Sequence, residues 1–130
     1  MFSSIKTSKK NKEIVQELTR KLNLGSENII ARIAFAYSIS REEHFDIKDI
    51  QDSQGKEYTS KILFGEYLPF YIAMICVHYN LHKSDKDIAR YVKMHVDDGL
   101  DIIYGEFGRT NLTGMEYILQ RIETGLQALS

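Results

Sequence analysis

The sequence contains one cysteine, one proline and no tryptophan, and each shortage excludes a class of protein. A lone Cys76 cannot form an internal disulfide, so a disulfide-stapled secreted scaffold is excluded and a reducing cytoplasm is the expected location. One thiol also cannot hold a cysteine-based zinc or iron–sulfur centre by itself. The scarcity of proline excludes a proline-rich linker.

Long apolar runs are missing as well. The most apolar stretch, residues 67–77, is much shorter than the roughly 20 residues of a membrane-spanning helix, so it predicts a core helix and no membrane association. The lysine-containing start of the chain has no apolar stretch behind it, and we expect no secretory signal. A hydrophobic content of 43% in 130 residues suffices for one packed domain over residues 1–130.

Charge is distributed unevenly along a chain whose formal net charge is only −1. Residues 1–25 hold six lysines and arginines against two glutamates, whereas residues 96–130 hold two arginines against six acidic residues. The basic end is therefore the candidate contact for a polyanionic partner.

Hydrophobic periodicity predicts an all-α fold, a compact bundle of about five helices. The predicted helices cover residues 9–23, 27–39 and 66–80, then run from about Ser84 to Gly105 and from about Thr113 onward. Capping boxes at Ser84–Asp87 and Thr113–Glu116 would begin the last two helices. Residues 40–63 are polar and weakly periodic, which predicts an irregular loop with a short hairpin around Gly55.

The predicted second helix is apolar around much of its circumference, which indicates burial on more than one side. Gly25 tolerates the left-handed backbone of a helix end, so the first two helices should meet at a sharp corner. We expect a homo-oligomer formed around residues 24–37, with Gly25, Ile29 and Ile33 at the contact.

Lys9, Lys10 and Lys12 lie where the positive end of a helix dipole disfavours them. An anion bound there would explain them, because free backbone N–H groups and lysines would then point at one phosphate. The alternative is a solvated helix end that lysines keep soluble. Arg20 and Lys21 extend the same basic segment along the first helix.

A second basic set lies at the start of the predicted fourth helix, where helical spacing places three members on one exposed face. This face is either a second contact for a nucleic-acid backbone or a solvated surface. Its members are Lys83, Lys86, Arg90 and Lys93.

Enzymatic chemistry has little support in the sequence. His78 and His82 have the spacing of two metal ligands on a helix, with Asp97 further along, but zinc needs three or four converging ligands. Cys76 lies between apolar neighbours, where a thiol is buried and inert. We therefore expect no catalytic residues, no metal and no cofactor. A metal-dependent nickase using His78, His82 or Asp97 is the less favoured alternative.

Three stretches are unusual enough to resemble a known family: residues 18–40 (LTRKLNLGSENIIARIAFAYSIS), residues 49–79 (DIQDSQGKEYTSKILFGEYLPFYIAMICVHY) and residues 95–100 (HVDDGL). They resemble DndE, the small protein of the bacterial DNA phosphorothioation system. The resemblance covers about residues 8–104, and residues 105–130 form a C-terminal extension that it does not reach.

The resemblance implies a helical homotetramer that binds duplex DNA, nicked duplex in particular, through surface lysines. Lys9, Lys10, Lys12 and Lys21 match the basic N-terminal helix of the family in character and not one by one, and together with Arg20 they are the expected DNA contact. The implied partners are an iron–sulfur sulfur-transfer enzyme and an SMC-like ATPase, which would carry the redox and nucleotide chemistry. A protein-interaction scaffold, in which the lysines are incidental, is the alternative from another class.

Overall fold

The computed structural model describes residues 2–129, which are mostly helical. Within them lie five helices of 12 residues or more and one short helix. The helices are α1 (Lys9–Leu22), α2 (Glu27–Ser40), α3 (Ser60–Phe64), α4 (Leu68–Tyr79), α5 (Ile88–Phe107) and α6 (Gly114–Leu129). The fold is therefore the predicted helical bundle, with α1 and α2 within one residue of their predicted ends.

The fold is not all-α, because it contains a small two-stranded sheet. Strand β1 (Ser4–Lys6) pairs antiparallel with β2 (Glu57–Thr59), with Ile5 opposite Tyr58. The predicted hairpin around Gly55 is therefore wrong: the strand after Gly55 pairs with the start of the chain instead of with a local neighbour. Gly55 lies against this start, where an added Cβ would come within 2.2 Å of the Ser8 carbonyl oxygen.

Helices α2 and α5 form the centre of the molecule. Helix α2 also contacts α1, α3 and α4, so its apolar circumference is largely covered by its own chain. The α2–α5 crossing is close because position 99 is glycine. A Cβ there would lie 1.9 Å from the Ala34 carbonyl oxygen.

The apolar segment 60–79 differs from the single core helix predicted from residue 66. It consists of α3, a 3-10 turn at Gly65–Tyr67 and α4, and Gly65 has a φ of +59°. By length and composition Ser60–Tyr79 is apolar enough to cross a membrane, and only 28% of its most apolar window is buried inside the structure, so the expectation of a core helix holds for its inner side alone. Its inner side contributes to the core, whereas Phe70 is 68% and Val77 83% exposed.

The two predicted capping boxes had different outcomes. The box at Thr113–Glu116 is confirmed, since the Glu116 N–H donates to the Thr113 hydroxyl at 3.2 Å and the Thr113 N–H to the Glu116 carboxylate at 3.4 Å. The Ser84–Asp87 box is wrong: helix α5 begins at Ile88 without a side-chain cap, and Ser84 instead contacts the His82 ring at 2.7 Å.

Near its N-terminus, helix α6 is held against the other helices by hydrogen bonds. The hydroxyl of Tyr117 donates to the Glu106 carboxylate at 2.7 Å, and the hydroxyl of Tyr37 on α2 donates to the same carboxylate at 2.9 Å. Gly114 lets the start of α6 approach the backbone at the end of α1, since a Cβ there would lie 2.1 Å from the Leu22 carbonyl oxygen. One carboxylate thus joins α2, α5 and α6.

Candidate nucleic-acid interface

The outer side of α1 carries a row of cations. Val15, Leu18 and Leu22 are buried on the inner side. At 100° per residue, Lys9 and Arg20 lie opposite them over about 16 Å of helix, with Glu13 between the two, and Lys12 lies at the edge of this side. All three are exposed, and within residues 2–129 none has a carboxylate at salt-bridge distance. We call Lys9, Lys12 and Arg20 the α1 ridge; Glu13 is also exposed.

The other two predicted cations of this helix are engaged. Lys10 lies 3.1 Å from the Asp101 carboxylate, and Lys21 lies 2.7 Å from the carboxylate of Glu17. Both lysines are about half exposed in these pairs. Solvent-exposed ion pairs contribute only about 0–1 kcal/mol, so a polyanion could draw either lysine away at low cost.

The expectation that an anion binds among free N–H groups at the start of α1 is contradicted at two of these groups, because carboxylates of the chain accept their hydrogen bonds. The Lys9 N–H donates to Asp52 at 2.8 Å, and the Ser8 N–H donates to Asp97 at 3.0 Å. Donation from the backbone N–H groups of Lys9 and Gln54 lowers the pKa of the Asp52 carboxyl. The helix dipole is thus compensated internally at these two groups, and the α1 side chains remain available to an external phosphate.

Three members of the second predicted basic set are exposed, and the fourth is buried. Lys83 and Lys86 are exposed, and Arg90 lies 2.6 Å from Asp87. Lys93 does not share their face: its side chain is only 5% exposed and its Nζ lies 2.5 Å from Asp97 Oδ2. Its assignment as a secondary DNA contact is therefore wrong, because a phosphate cannot reach a buried ammonium group.

Asp97 connects the start of the chain to α5. Besides Lys93, its carboxylate accepts hydrogen bonds from the Ser8 N–H at 3.0 Å and the Asn11 side-chain amide at 2.8 Å. The carboxylate is 1% exposed. Two hydrogen-bond donors and the ion pair with Lys93 satisfy this buried charge, so Asp97 has a structural role and holds the first turn of α1 in place.

The histidines and Asp97 do not converge on a metal site. The Nε2 of His78 lies 2.6 Å from the Glu43 carbonyl oxygen and its ring stacks on that of His44, while His82 contacts Ser84. In the described part of the chain, no three His, Cys, Asp or Glu side chains are grouped as metal ligands would be. The nickase alternative therefore has no assembled ligand set in this geometry.

A serine, a histidine and an aspartate do lie in contact inside the protein. The Oγ of Ser38 lies 2.8 Å from His95 Nδ1 and 2.7 Å from Asp98 Oδ2. However, Ser38 and His95 are fully buried, so no substrate can reach the hydroxyl. This arrangement cross-links α2 and α5.

Cys76 is less buried than its apolar neighbours predicted. It is half-buried and lines an apolar groove of about 680 Å³ on the outer side of α4. Pro69, Ala73 and Val77 also line this groove, with Lys83 at its edge. Helix α4 therefore presents an apolar surface to solvent. We call the groove lined by these residues the α4 groove.

The three residues predicted at a contact between copies lie near the α1–α2 corner. Gly25 is exposed and has a φ of +133°, and a Cβ there would meet the half-buried Ile29 side chain at 3.4 Å. The left-handed residue that ends α1 is Asn23, with a φ of +53°. Ile33 is half-buried and faces α6 of its own chain across a groove of about 340 Å³.

Residues 95–100 (HVDDGL) have structural roles that helical periodicity does not predict. His95 and Asp98 bond to Ser38, Asp97 holds α1, and Gly99 lets α2 approach. These residues form a packing motif and lie away from the α1 ridge. Two adjacent acids in an otherwise apolar helical stretch were the signal available in the sequence.

Two solved structures have this fold. One is DndE from Escherichia coli B7A, involved in DNA phosphorothioation modification, with 19% identity and a TM-score of 0.64. The other is a glycine-to-lysine variant of DndE, with 20% identity and a TM-score of 0.65. Each alignment covers 79% of this chain and 98% of the solved one. No curated protein sequence matches the chain significantly.

The likeness to these structures defines the class by its fold, a small helical bundle with a two-stranded sheet. A family model for the DNA sulphur modification protein DndE matches residues 4–110, most of the chain. The chain belongs to the DndE family. The match ends before α6, which is therefore an addition to the part that the family shares.

Proposed function

We propose that this chain is a non-catalytic DNA-binding subunit of a bacterial DNA phosphorothioation system, located in the cytoplasm with the nucleoid. It would hold duplex DNA against the α1 ridge without reading bases. The observation that carries the proposal is the row of Lys9, Lys12 and Arg20, exposed and without an ion-pair partner in residues 2–129. Family membership supplies the DNA context.

Assembly would strengthen this contact. A single ridge of three cations gives weak binding, since each neutralised phosphate contributes separately to affinity. A homotetramer that aligns four ridges would multiply the local charge while the whole chain stays near neutrality. Gly25, Ile29 and Ile33 remain the proposed contact between copies, because Gly25 is exposed and Ile29 is only half covered by its own chain.

The test is a salt titration of binding to a short duplex. Replacing Lys9, Lys12 and Arg20 together by alanine should weaken binding and flatten the slope of log affinity against log salt. Each lost phosphate contact removes about 0.9 from that slope. Circular dichroism should be unchanged, because alanine is a good helix former at exposed positions.

The matched control removes three charges elsewhere, with Lys83, Lys86 and Arg90 replaced by alanine. We expect a smaller change in slope for this variant. An unchanged slope after the substitutions on α1 would show that the ridge is only a solvated helix face.

Preference for nicked duplex is the finer part of the proposal. A nick is a flexible joint, so bending DNA across several ridges costs less than bending an intact duplex. Affinities for nicked, intact and single-stranded DNA of one sequence, each with and without Mg²⁺, test this preference. Metal-dependent cleavage in the same tubes, lost on His78→Ala, would instead support the nickase alternative.

The α4 groove favours a second candidate function, a protein-interaction role within the same machinery. Val77 lines this groove and exposed Phe70 lines the neighbouring one, so together they extend an apolar surface that a modification partner could cover. The candidate partners are the iron–sulfur sulfur-transfer enzyme and the SMC-like ATPase. Co-purification with each, for wild type and for Phe70→Ser/Val77→Ser, tests this role independently of DNA.

A further inference from the structure

The C-terminal helix α6 carries an apolar stripe that faces solvent. Its residues are spaced four, three, four and three apart, which is the heptad repeat of helices that pack side by side. All five side chains are more than half exposed: Met115 57%, Leu119 51%, Ile122 53%, Leu126 61% and Leu129 84%. We call these five residues the α6 stripe.

The stripe is covered only at its edge by its own chain: Met115 and Ile122 line grooves against the body, yet both stay more than half exposed. Gly114 and Tyr117 are buried against the body, but every described residue from Ile122 onward is exposed. A helix of this length is marginal in water without packing, because most helical stability in proteins comes from a covered apolar face. Half of α6 therefore extends from the body with the face that should stabilise it open to solvent.

We propose that α6 is an assembly helix that packs in parallel against α6 of further copies of this chain. A straight heptad stripe is self-complementary, which is the requirement for a symmetric contact between identical chains. The proposal concerns a segment outside residues 4–110, and it is independent of the contact around Gly25 proposed above.

Charge selects the parallel arrangement. In the heptad register, Leu119 and Leu126 take position a, and Glu116 and Glu123 take position e. An antiparallel pair places each Glu116 beside the other copy's Glu123, so like charges meet twice. In a parallel pair, each glutamate lies beside a g position of the other copy. The residues at the g positions of α6 carry no charge. The parallel pair also places Leu129 against Leu129 of the other copy, whereas the antiparallel pair leaves Leu129 uncovered.

The same register bears on the number of helices. Leucine at position a with isoleucine at position d favours bundles of three or four helices over pairs. Leu119 and Leu126 occupy the a positions, but Ile122 is the only isoleucine at a d position, beside Met115 and Leu129, so this preference applies to the centre of the stripe alone.

The experiment compares the mass of the full chain with that of Leu119→Glu/Leu126→Glu by sedimentation across a range of concentrations. The control is Gln120→Glu/Thr124→Glu, which adds the same charge to the same helix beside the stripe. We expect the stripe variant to associate at least tenfold more weakly, whereas the control associates as the wild type does. Circular dichroism confirms that each variant folds.

Cysteine cross-linking tests directly whether the α6 helices of two copies are parallel. In a Cys76→Ala background, Leu126→Cys should form a disulfide between two copies of residue 126, which only a parallel arrangement permits. With Cys76 retained, a cross-link between residue 126 and Cys76 would place α6 in the α4 groove of another copy and overturn the proposal. An unchanged mass for the stripe variant, or a monomeric wild type, would also overturn it.

The two assembly contacts can fail separately. If Gly25→Val lowers the mass and the stripe variant does not, the contact at the α1–α2 corner stands and the α6 proposal is wrong. The reverse result leaves α6 as the assembly element.

Discussion

The phenol oxygen of Tyr79 lies 2.6 Å from Nε2 of His95, whose ring is fully buried. On the other side of the ring, Nδ1 contacts Ser38, and that hydroxyl donates its hydrogen to Asp98. The network therefore suits a neutral imidazole that donates from Nδ1 and accepts at Nε2 from Tyr79. Burial, with smaller contributions from His78 and His44, lowers the pKa of His95 to about 3.

This depressed pKa predicts a loss of stability in mild acid. Between about pH 6.5, the ordinary histidine pKa, and pH 3, the unfolded chain binds a proton that the folded chain does not. Stability is therefore complete above about pH 6.5 and falls as the pH drops, by up to roughly 1.4 kcal/mol per pH unit. Urea unfolding at pH 7.5, 6.0 and 5.0 measures this slope.

The matched variant for the pH experiment is His95→Gln. It should be less stable at pH 7.5, because packing around Tyr79 is disturbed, but its slope below pH 6.5 should be shallower by about one proton. Parallel curves for the two proteins would show that other groups cause the acid loss.

The buried ion pair predicts a large cost when it is broken. Lys93→Ala leaves the Asp97 carboxylate buried without its cation, and we expect a loss of about 3–5 kcal/mol in the free energy of unfolding. Arg90→Ala breaks an exposed pair on the same helix, at a cost of about 1 kcal/mol or less. Chemical denaturation of both variants decides whether Lys93 belongs to the interior; similar small effects would contradict its burial.

The α2–α5 crossing predicts that Gly99 does not tolerate a side chain. Gly99→Ala forces a methyl group into the backbone of Ala34, and we expect a loss of about 3 kcal/mol. Gly125→Ala is the control within a helix, since nothing lies within 4 Å of a Cβ there. It should raise stability by up to about 1 kcal/mol through helix propensity. Thermal unfolding of both variants gives the comparison.

The corner before α2 predicts an effect on assembly. Gly25→Val introduces a β-branched residue at a φ of +133°, which side chains rarely adopt, so the corner must shift and the proposed contact between copies should weaken. Ser26→Val adds similar bulk one residue later at a φ of −84°, where valine fits. Light scattering should therefore show a lower mass for the first variant only. Equal masses would remove Gly25 from the assembly contact.

Local patterns predicted the fold where the structure depends on near neighbours. Helices α1 and α2 and the Thr113–Glu116 cap match their predictions because spacing and capping act within a few residues. The β1–β2 pairing was missed because its strands are far apart in the chain. Helix α3 was missed because it is short and Gly65 separates it from α4.

In the candidate site too, local patterns predicted only what depends on near neighbours in the chain. The exposed cations of α1 could be predicted from helical spacing, whereas Lys93 could not. Six consecutive residues, 92–97, are buried because α5 is central to the molecule, and periodicity alone assigns only one face of a helix to the core. The carboxylates at the start of α1 come from Asp52 and Asp97, which no short-range pattern associates with that helix.

The pairing of β1 with β2 changes how the basic N-terminal segment can be studied. Deleting residues 1–12 would remove four lysines, but it would also remove the partner of β2 and the donors to Asp97 from Ser8 and Asn11. A truncated protein would then lose DNA binding through unfolding, whatever the lysines do. The segment is part of the domain's architecture, so its charges must be changed by side-chain substitution, with the backbone kept.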